Sequence, residues 1–307
     1  MIEKQYVLGV DGGGTKTAYK LADFEGTPVA SFLGPGISYL DIGFEKVLAN
    51  LRQGRDKCLN DVGANFEAIT AVCIGLPGFE EFPENDKVIG ALIRQEFSPA
   101  KILIVNDTEV AWAGSLNCQP GINVVAGTGS ISFGRNQQGE KARCGGWSIV
   151  FGDEGSGYKV GLEAMSLFSK QADGRKPKEA LYHIVKKEFA LENDFDFISI
   201  MHEKYIPYRD KVASFQLILK KAAEEGDFEA RKIYQEAAEE LAMLVKGVRD
   251  QLGFSDTFLV SYSGGMFKNG DFLLSFFKEY VQAMGGESIP PIHSQEYGAV
   301  LMALNYT

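Results

Sequence analysis

Three consecutive glycines, Gly12, Gly13 and Gly14, follow Asp11 and precede Thr15, Lys16 and Thr17. Without side chains, such a run lets backbone N–H groups approach an anion closely, and the threonine hydroxyls and the Lys16 ammonium add further donors. Asp11 is a residue of the type that holds Mg²⁺ while phosphate oxygens and waters fill the remaining positions. A second turn of the same composition, Gly127, Thr128, Gly129 and Ser130, follows another short apolar run. Either turn alone also reads as a tight glycine hairpin with no ligand. Two in equivalent surroundings suit a polyphosphate gripped from both sides. Neither has the GxxxxGK[ST] spacing of a P-loop, and neither opens a helix with GxGxxG.

Two other places carry chemistry. Asp107 closes the apolar run Lys101 to Val105 and precedes TEVAWAGSL, a helix-compatible stretch. A carboxylate there is either a general base for a hydroxyl or a helix N-cap, and position alone leaves both open. The glycine-rich segment Cys144 to Gly157, CGGWSIVFGDEGSG, surrounds the adjacent acids Asp153 and Glu154 and suits a loop bending close to a ligand before a helix. Trp147 within it offers a flat apolar face to a ring, or anchors the turn to the core.

The elements that must position these groups show a repeated plan. YVLGV, the first glycine turn, AYKLAD, a turn at Phe24–Gly26 and PVASFLG read as strand, turn, strand, turn, strand. INVVAG, the second glycine turn, ISFGRN, a turn at Gln137–Gly139 and KARCGG repeat it. Between the two units, residues 43–60 and 86–97 have helical patterns, while AVCIGL and KILIV read as buried strands. This alternation predicts an α/β class with a parallel or mixed sheet. Residues 157–253 are mostly helical, with Ile233, Ala237, Leu241, Leu244, Val245, Val248 and Leu252 on one apolar face destined for the core. FLVSYS reads as a last strand meeting Gly264–Gly265, and helices follow at about 270–284 and 297–307. A duplicated architecture implies two similar lobes with a cleft between them.

Composition narrows the class. With 307 residues, 45% of them hydrophobic, the chain can fill one large core or two ordinary ones, so disorder is excluded. A net charge of −10 disfavours nucleic acid and anionic lipid as partners, so an anionic ligand needs a local device. The four cysteines form no CxxC pair and suggest neither a zinc site nor a disulfide framework. The first residues run from MIEKQ into a strand with no secretory pattern, and the expected location is the cytoplasm.

The motifs DGGGTKT, GTGS, GGW…GDEGSG and SGG, in this order, resemble the N-acetylglucosamine kinase and BadF/BadG-type ATPase family of the actin/hexokinase-like, ribonuclease H-like fold. The resemblance covers nearly the whole chain. It implies an N-terminal lobe over residues 1–115 and a C-terminal lobe over 116–307, with the terminal helix 297–307 packing back on the first. It implies an ATP site at Gly12 to Thr17 and Gly127 to Ser130, with Gly264, Gly265 and Met266 near the adenosine. Asp11 would hold Mg²⁺, and Asp107 would be the base on the acceptor hydroxyl. The acceptor, a sugar, would meet Ser38, Asp107, Gly129, Trp147, Asp153 and Glu154. A homodimer is expected by the same analogy. Where family members place asparagines against the acetamido sugar, this chain has Ile37-Ser38-Tyr39 and Ile131. The rival expectations are an ATPase activator that feeds electrons to a partner dehydratase or reductase, and a sugar- or nucleotide-binding regulator without turnover.

Overall fold

The computed structural model describes residues 4–255 and 257–307. In the first part of the chain, β1 (Tyr6–Asp11), β2 (Lys16–Ala22) and β3 (Pro28–Pro35) form an antiparallel meander. The short helix α1 (Tyr39–Ile42) and the long α2 (Phe44–Val62) then lead to β4 (Ile69–Leu76), and α3 (Pro83–Glu96) leads to β5 (Lys101–Asn106). Both later strands run parallel to β1, giving the sheet order β3-β2-β1-β4-β5. Parallel strands need helical crossovers, and the period of the apolar residues changes from two to about 3.6 where those helices begin. In β1 and β4 the period of two is absent, because both strands are buried almost along their whole length, as expected for strands covered on both faces. The helix α4 (Asp107–Leu116) follows β5 without a linker.

The second part repeats the plan. Strands β6 (Gly121–Ala126), β7 (Ser130–Arg135) and β8 (Lys141–Gly145) form another antiparallel meander. Helices α5 (Gly157–Ala172), α6 (Ala180–Glu188), α7 (Asp196–Lys204), α8 (Arg209–Ser214), α9 (Gln216–Glu224) and α10 (Phe228–Leu252) come next. Then β9 (Phe258–Ser263), α11 (Asp271–Ala283) and β10 (Gly286–Ile289) complete a sheet of order β10-β9-β6-β7-β8. The predicted α10 stripe is core: Ala237, Leu241, Leu244, Val245, Val248 and Leu252 are buried, and Ile233 packs against them. The edge strand β10 escapes sequence reading, since Gly-Glu-Ser-Ile is too short to show a period of two.

The chain returns in α12 (Gln295–Tyr306), which packs on β1 and α4. Two compact units result: the residues up to Pro120 together with Pro290–Thr307, and Gly121–Ile289. The α4–α12 contact depends on missing side chains. A Cβ on Gly298 would lie 2.2 Å from the Val110 carbonyl and 2.3 Å from the Gly114 nitrogen, so the two helices meet backbone to backbone. Among the described residues no helix is long and apolar enough to cross a membrane.

Candidate active site

In the first unit, β1, β4 and β5 end together. Register pairs Asp11 with Gly75, and Leu76 with Asn106, so the carboxylates of Asp11 and Asp107 come from strand ends on either side of β4. Two strand spacings separate their backbones by about 10 Å. Between them stands Gly75, whose carbonyl accepts from the Gly12 N–H at 2.9 Å. The carboxyl-terminal edge of a parallel sheet is where α/β folds bind ligands, and a glycine there lets the start of α4 pack closely on β4, since a Cβ on Gly75 would lie 2.5 Å from Val110 Cγ2 and 3.2 Å from the Asp107 Cα.

Besides the Gly12–Gly75 bond, the first glycine turn is tied to the segment that follows β3. Gly36 N–H donates to the Thr15 carbonyl, and Ile37 N–H donates to the Gly13 carbonyl, which brings Ser38 to the turn. Gly14, Thr15 and Lys16 are exposed, as a phosphate-binding turn requires. Thr17 departs from expectation. Its side chain is fully buried, because alternation along β2 sends Thr17, Tyr19 and Leu21 inward together. Its hydroxyl is buried without a hydrogen-bond partner among the described residues. Ser38 is also buried, at the N-cap position of α1, without a capping hydrogen bond from its side chain.

Asp107 is the first residue of α4 and not its cap. The Asn106 side chain takes that role, accepting from the Thr108 N–H at 3.1 Å and the Thr108 hydroxyl at 2.7 Å. The capping alternative for Asp107 is thereby removed. Burial, followed by the charges of Asp107 and Glu296, pushes the Asp11 carboxyl up to about 8 against the opposing pull of Lys16. A cation beside Asp11 would relieve that desolvated charge. Among the described residues no group of three or more His, Cys, Asp or Glu side chains could hold a metal alone. Asp11 alone would leave Mg²⁺ to complete its shell with phosphate oxygens and water. Glu296, which sequence reading missed, opens α12. Against the upward push of burial, hydrogen bonds from Ser294 (2.7 Å) and Lys20 (3.0 Å to Oε1) hold it below the usual carboxylate range. Its signal was weak, a lone Glu before an apolar helix.

In the second unit, the motifs GTGS and GDEGSG prove to be one structure. Gly157 and Tyr158 at the start of α5 donate their N–H groups to the carbonyls of Gly127 (2.8 Å) and Thr128 (3.2 Å). Ser130 N–H donates to Asp153 Oδ1 at 3.2 Å, and its hydroxyl donates to the Glu154 carbonyl at 2.6 Å. Ser130 is therefore a brace with both donors spent inside the protein, a correction to its expected role on a phosphate. Glu154 enters the brace through its carbonyl. A Cβ on Gly129 would stand 2.9 Å from Asp153 Oδ1, so only glycine lets this carboxylate reach the turn. Gly127 has nothing within 4 Å of its notional Cβ, and Thr128 is exposed, so that side of the turn is open.

Asp153 is buried and has a positive φ of 59°, uncommon for a residue with a side chain. Burial raises its carboxyl, while the Ser130 N–H and the Arg209 guanidinium pull the other way. Trp147 is 72% exposed, which excludes the core-anchor alternative. Gly264, at a φ of +103°, packs on the end of β6, and Gly265 is exposed with open space around it. Met266 is a correction: its side chain is buried in the core of the second unit, so only its backbone is left for a nucleotide.

The two units thus share one design: a β meander with a glycine turn, a parallel extension and an acid beside the turn. That is the design of the two-lobe sugar kinases and their ATP-using relatives. The chain matches the BadF/BadG/BcrA/BcrD ATPase family over residues 8–303 and belongs to it. It is 33% identical to an N-acetylmuramic acid/N-acetylglucosamine kinase of Clostridium acetobutylicum, over 90% of each chain. It is 27% identical to an N-acetyl-D-glucosamine kinase of Dictyostelium discoideum, over 99% of each. A solved structure provisionally named an N-acetylglucosamine kinase, from Chromobacterium violaceum, superposes with a TM-score of 0.77 at 25% identity, covering 98% of this chain and 99% of that one.

Proposed function

We propose that the chain is an ATP-dependent sugar kinase that transfers the γ-phosphate to a hydroxyl of an N-acetylated amino sugar. The observation that carries this is the pairing of Asp11 and Asp107 on strand ends flanking the side-chain-free Gly75, beside an exposed glycine turn. The near-full-length likeness to two N-acetylglucosamine kinases favours the acceptor class.

In this reading the backbone N–H groups of Gly13, Gly14 and Thr15, with Lys16, and those of Thr128 and Gly129 donate to the polyphosphate, while Gly12 and Gly127, whose N–H groups are held by the carbonyls of Gly75 and Gly129, shape the two turns around it. Gly264 and Gly265 lie along the adenosine. Mg²⁺, held through Asp11, would supply charge neutralisation on the phosphates. The acceptor oxygen attacks the γ-phosphorus, the bond from that phosphorus to the bridging oxygen breaks, and ADP leaves with the bridging electrons. Asp107 takes the proton of the attacking hydroxyl. Ser38, Trp147 and Asp153 meet the sugar, with Asp153 accepting from its hydroxyls and Trp147 offering a ring face. Glu154 supports them through the brace at Ser130. The enzyme is further proposed to act in the cytoplasm as a homodimer, the latter checked by sedimentation.

A coupled ADP-release assay over hexoses, hexosamines and N-acetylhexosamines tests the function. Turnover concentrated on N-acetylated amino sugars is the expected result. ATP hydrolysis at one rate with every sugar, and with none, would discard the kinase reading.

A further inference from the structure

The side chain of Asn106, next in the chain to Asp107, is bonded at both ends. Its Oδ1 accepts from the Thr108 N–H and hydroxyl and so caps α4, while its Nδ2 donates to the Phe79 carbonyl at 2.8 Å. The residue is buried, so both bonds are sheltered from water. Capping alone does not call for asparagine, since aspartate and serine accept from a first-turn N–H about as well. What the amide adds is a donor on a second atom, and here that donor is committed to Phe79.

The turn that Asn106 holds is itself strained. Residues 77–82 leave β4, the strand between those carrying Asp11 and Asp107, at the edge where such a sheet meets its ligand. Gly78 has a φ of 74° and Glu80 one of 71°, a left-handed conformation that a residue with a side chain seldom adopts. Asp86 supports this turn as well. Its Oδ2 accepts from the Glu80 N–H at 3.0 Å, and its Oδ1 lies 2.9 Å from the Tyr39 hydroxyl, which is also 2.9 Å from the Gly78 carbonyl. Two successive carbonyls of the turn are thus met by the neighbour of Ser38 and by the neighbour of Asp107. A strained turn persists when its surroundings over-determine it, and such turns hold a reactive geometry in place before the ligand arrives.

We propose that Asn106 is a positioning residue for phosphoryl transfer: it clamps the first turn of α4 to the turn after β4 and so fixes the Asp107 carboxylate against the acceptor hydroxyl. This rests on the kinase reading above, in which Asp107 takes the proton. Without the bond to Phe79 the cap persists, but the first turn of α4 is aimed by β5 and by packing alone. Misplacement of a reacting group by about 1 Å is worth roughly a hundredfold in rate.

A double-mutant cycle in steady-state kinetics, with N-acetylglucosamine as acceptor, tests it. Asn106→Ser keeps a capping oxygen and is too short to reach the Phe79 carbonyl. Its kcat is expected to fall by roughly ten- to a hundredfold, with the KM for ATP near the parental value. In the Asp107→Asn background the same change should alter kcat by no more than about threefold, because a residue that acts through Asp107 has nothing left to position. Near-parental kcat in Asn106→Ser would overturn the proposal. So would equal losses in both backgrounds, which would make Asn106 a structural support only. Should the serine variant not fold, Asn106→Thr, also a cap and suited to the end of a strand, enters the same cycle with the same outcomes. Each of these results leaves the kinase reading intact. A folded, ATP-binding parent that phosphorylates no N-acetylhexosamine would overturn that reading, and this inference with it.

Discussion

Asp107 and Asp11 differ in what surrounds them, and the difference makes each testable alone. Because Asn106 already caps α4, Asp107→Asn leaves the cap untouched and removes the proposed proton acceptor. Turnover should fall by roughly 10²- to 10⁴-fold while ATP affinity stays near the parental value. Near-parental turnover with a good acceptor would end the base assignment. Asp11 is expected to show itself in stability. Its carboxyl holds a proton up to about pH 8 when folded, whereas an unfolded aspartate does so only to about 4. The neutral form thus favours the folded state at low pH, and that advantage is lost as pH rises through 8. Asp11→Asn, which stays neutral, should gain on the parent between pH 5 and pH 9 in metal-free urea titrations. Parallel midpoints across that range would show that Asp11 is well solvated after all.

At the scale of elements, α12 decides how the first acid is backed. It sets Glu296 near Asp11 and crosses α4, the helix that begins at Asp107, at Gly114 and Gly298. The crossing has no room for a methyl group, since the nearest atoms are backbone and cannot rotate away. Gly298→Ala should therefore cost about 1–3 kcal/mol, the usual range for overpacking, read as a lower denaturation midpoint. An unchanged midpoint would mean that the helix pair can slide apart freely. The brace of the second unit follows the same logic in a different form. Two motifs far apart in sequence are joined by Ser130, and the start of α5 spends its first N–H groups on the carbonyls of the glycine turn. Those N–H groups have no partners inside the helix, so the turn and the helix complete each other.

For the molecule as a whole, the test is whether both units serve one nucleotide. Hydrogen exchange with a non-hydrolysable ATP analogue and Mg²⁺ should slow the amides of Gly13 to Thr15 and of Thr128 and Gly129 at the same ligand concentration, those of Gly12 and Gly127 being bonded already. Protection of one turn without the other would rule out a shared polyphosphate. The sequence by itself determined the class of fold and most of its elements, because apolar period and glycine position are local properties that survive without knowledge of the partner. It also located the two glycine turns, since runs of glycine and hydroxyl residues between apolar segments are visible without the fold. Only the tertiary structure decided which donors are spent and which are open. Thr17 turns inward by strand alternation, Ser130 is committed to Asp153 and Glu154, and Met266 enters the core. Residue type cannot reveal this, because a hydroxyl or thioether is the same group whichever way the backbone aims it. The structure alone likewise brought Glu296 to Asp11 and Arg209 to Asp153, pairs far apart in the chain. Charge interactions follow distance in space, and that distance is set by the packing of whole elements, which no local pattern encodes.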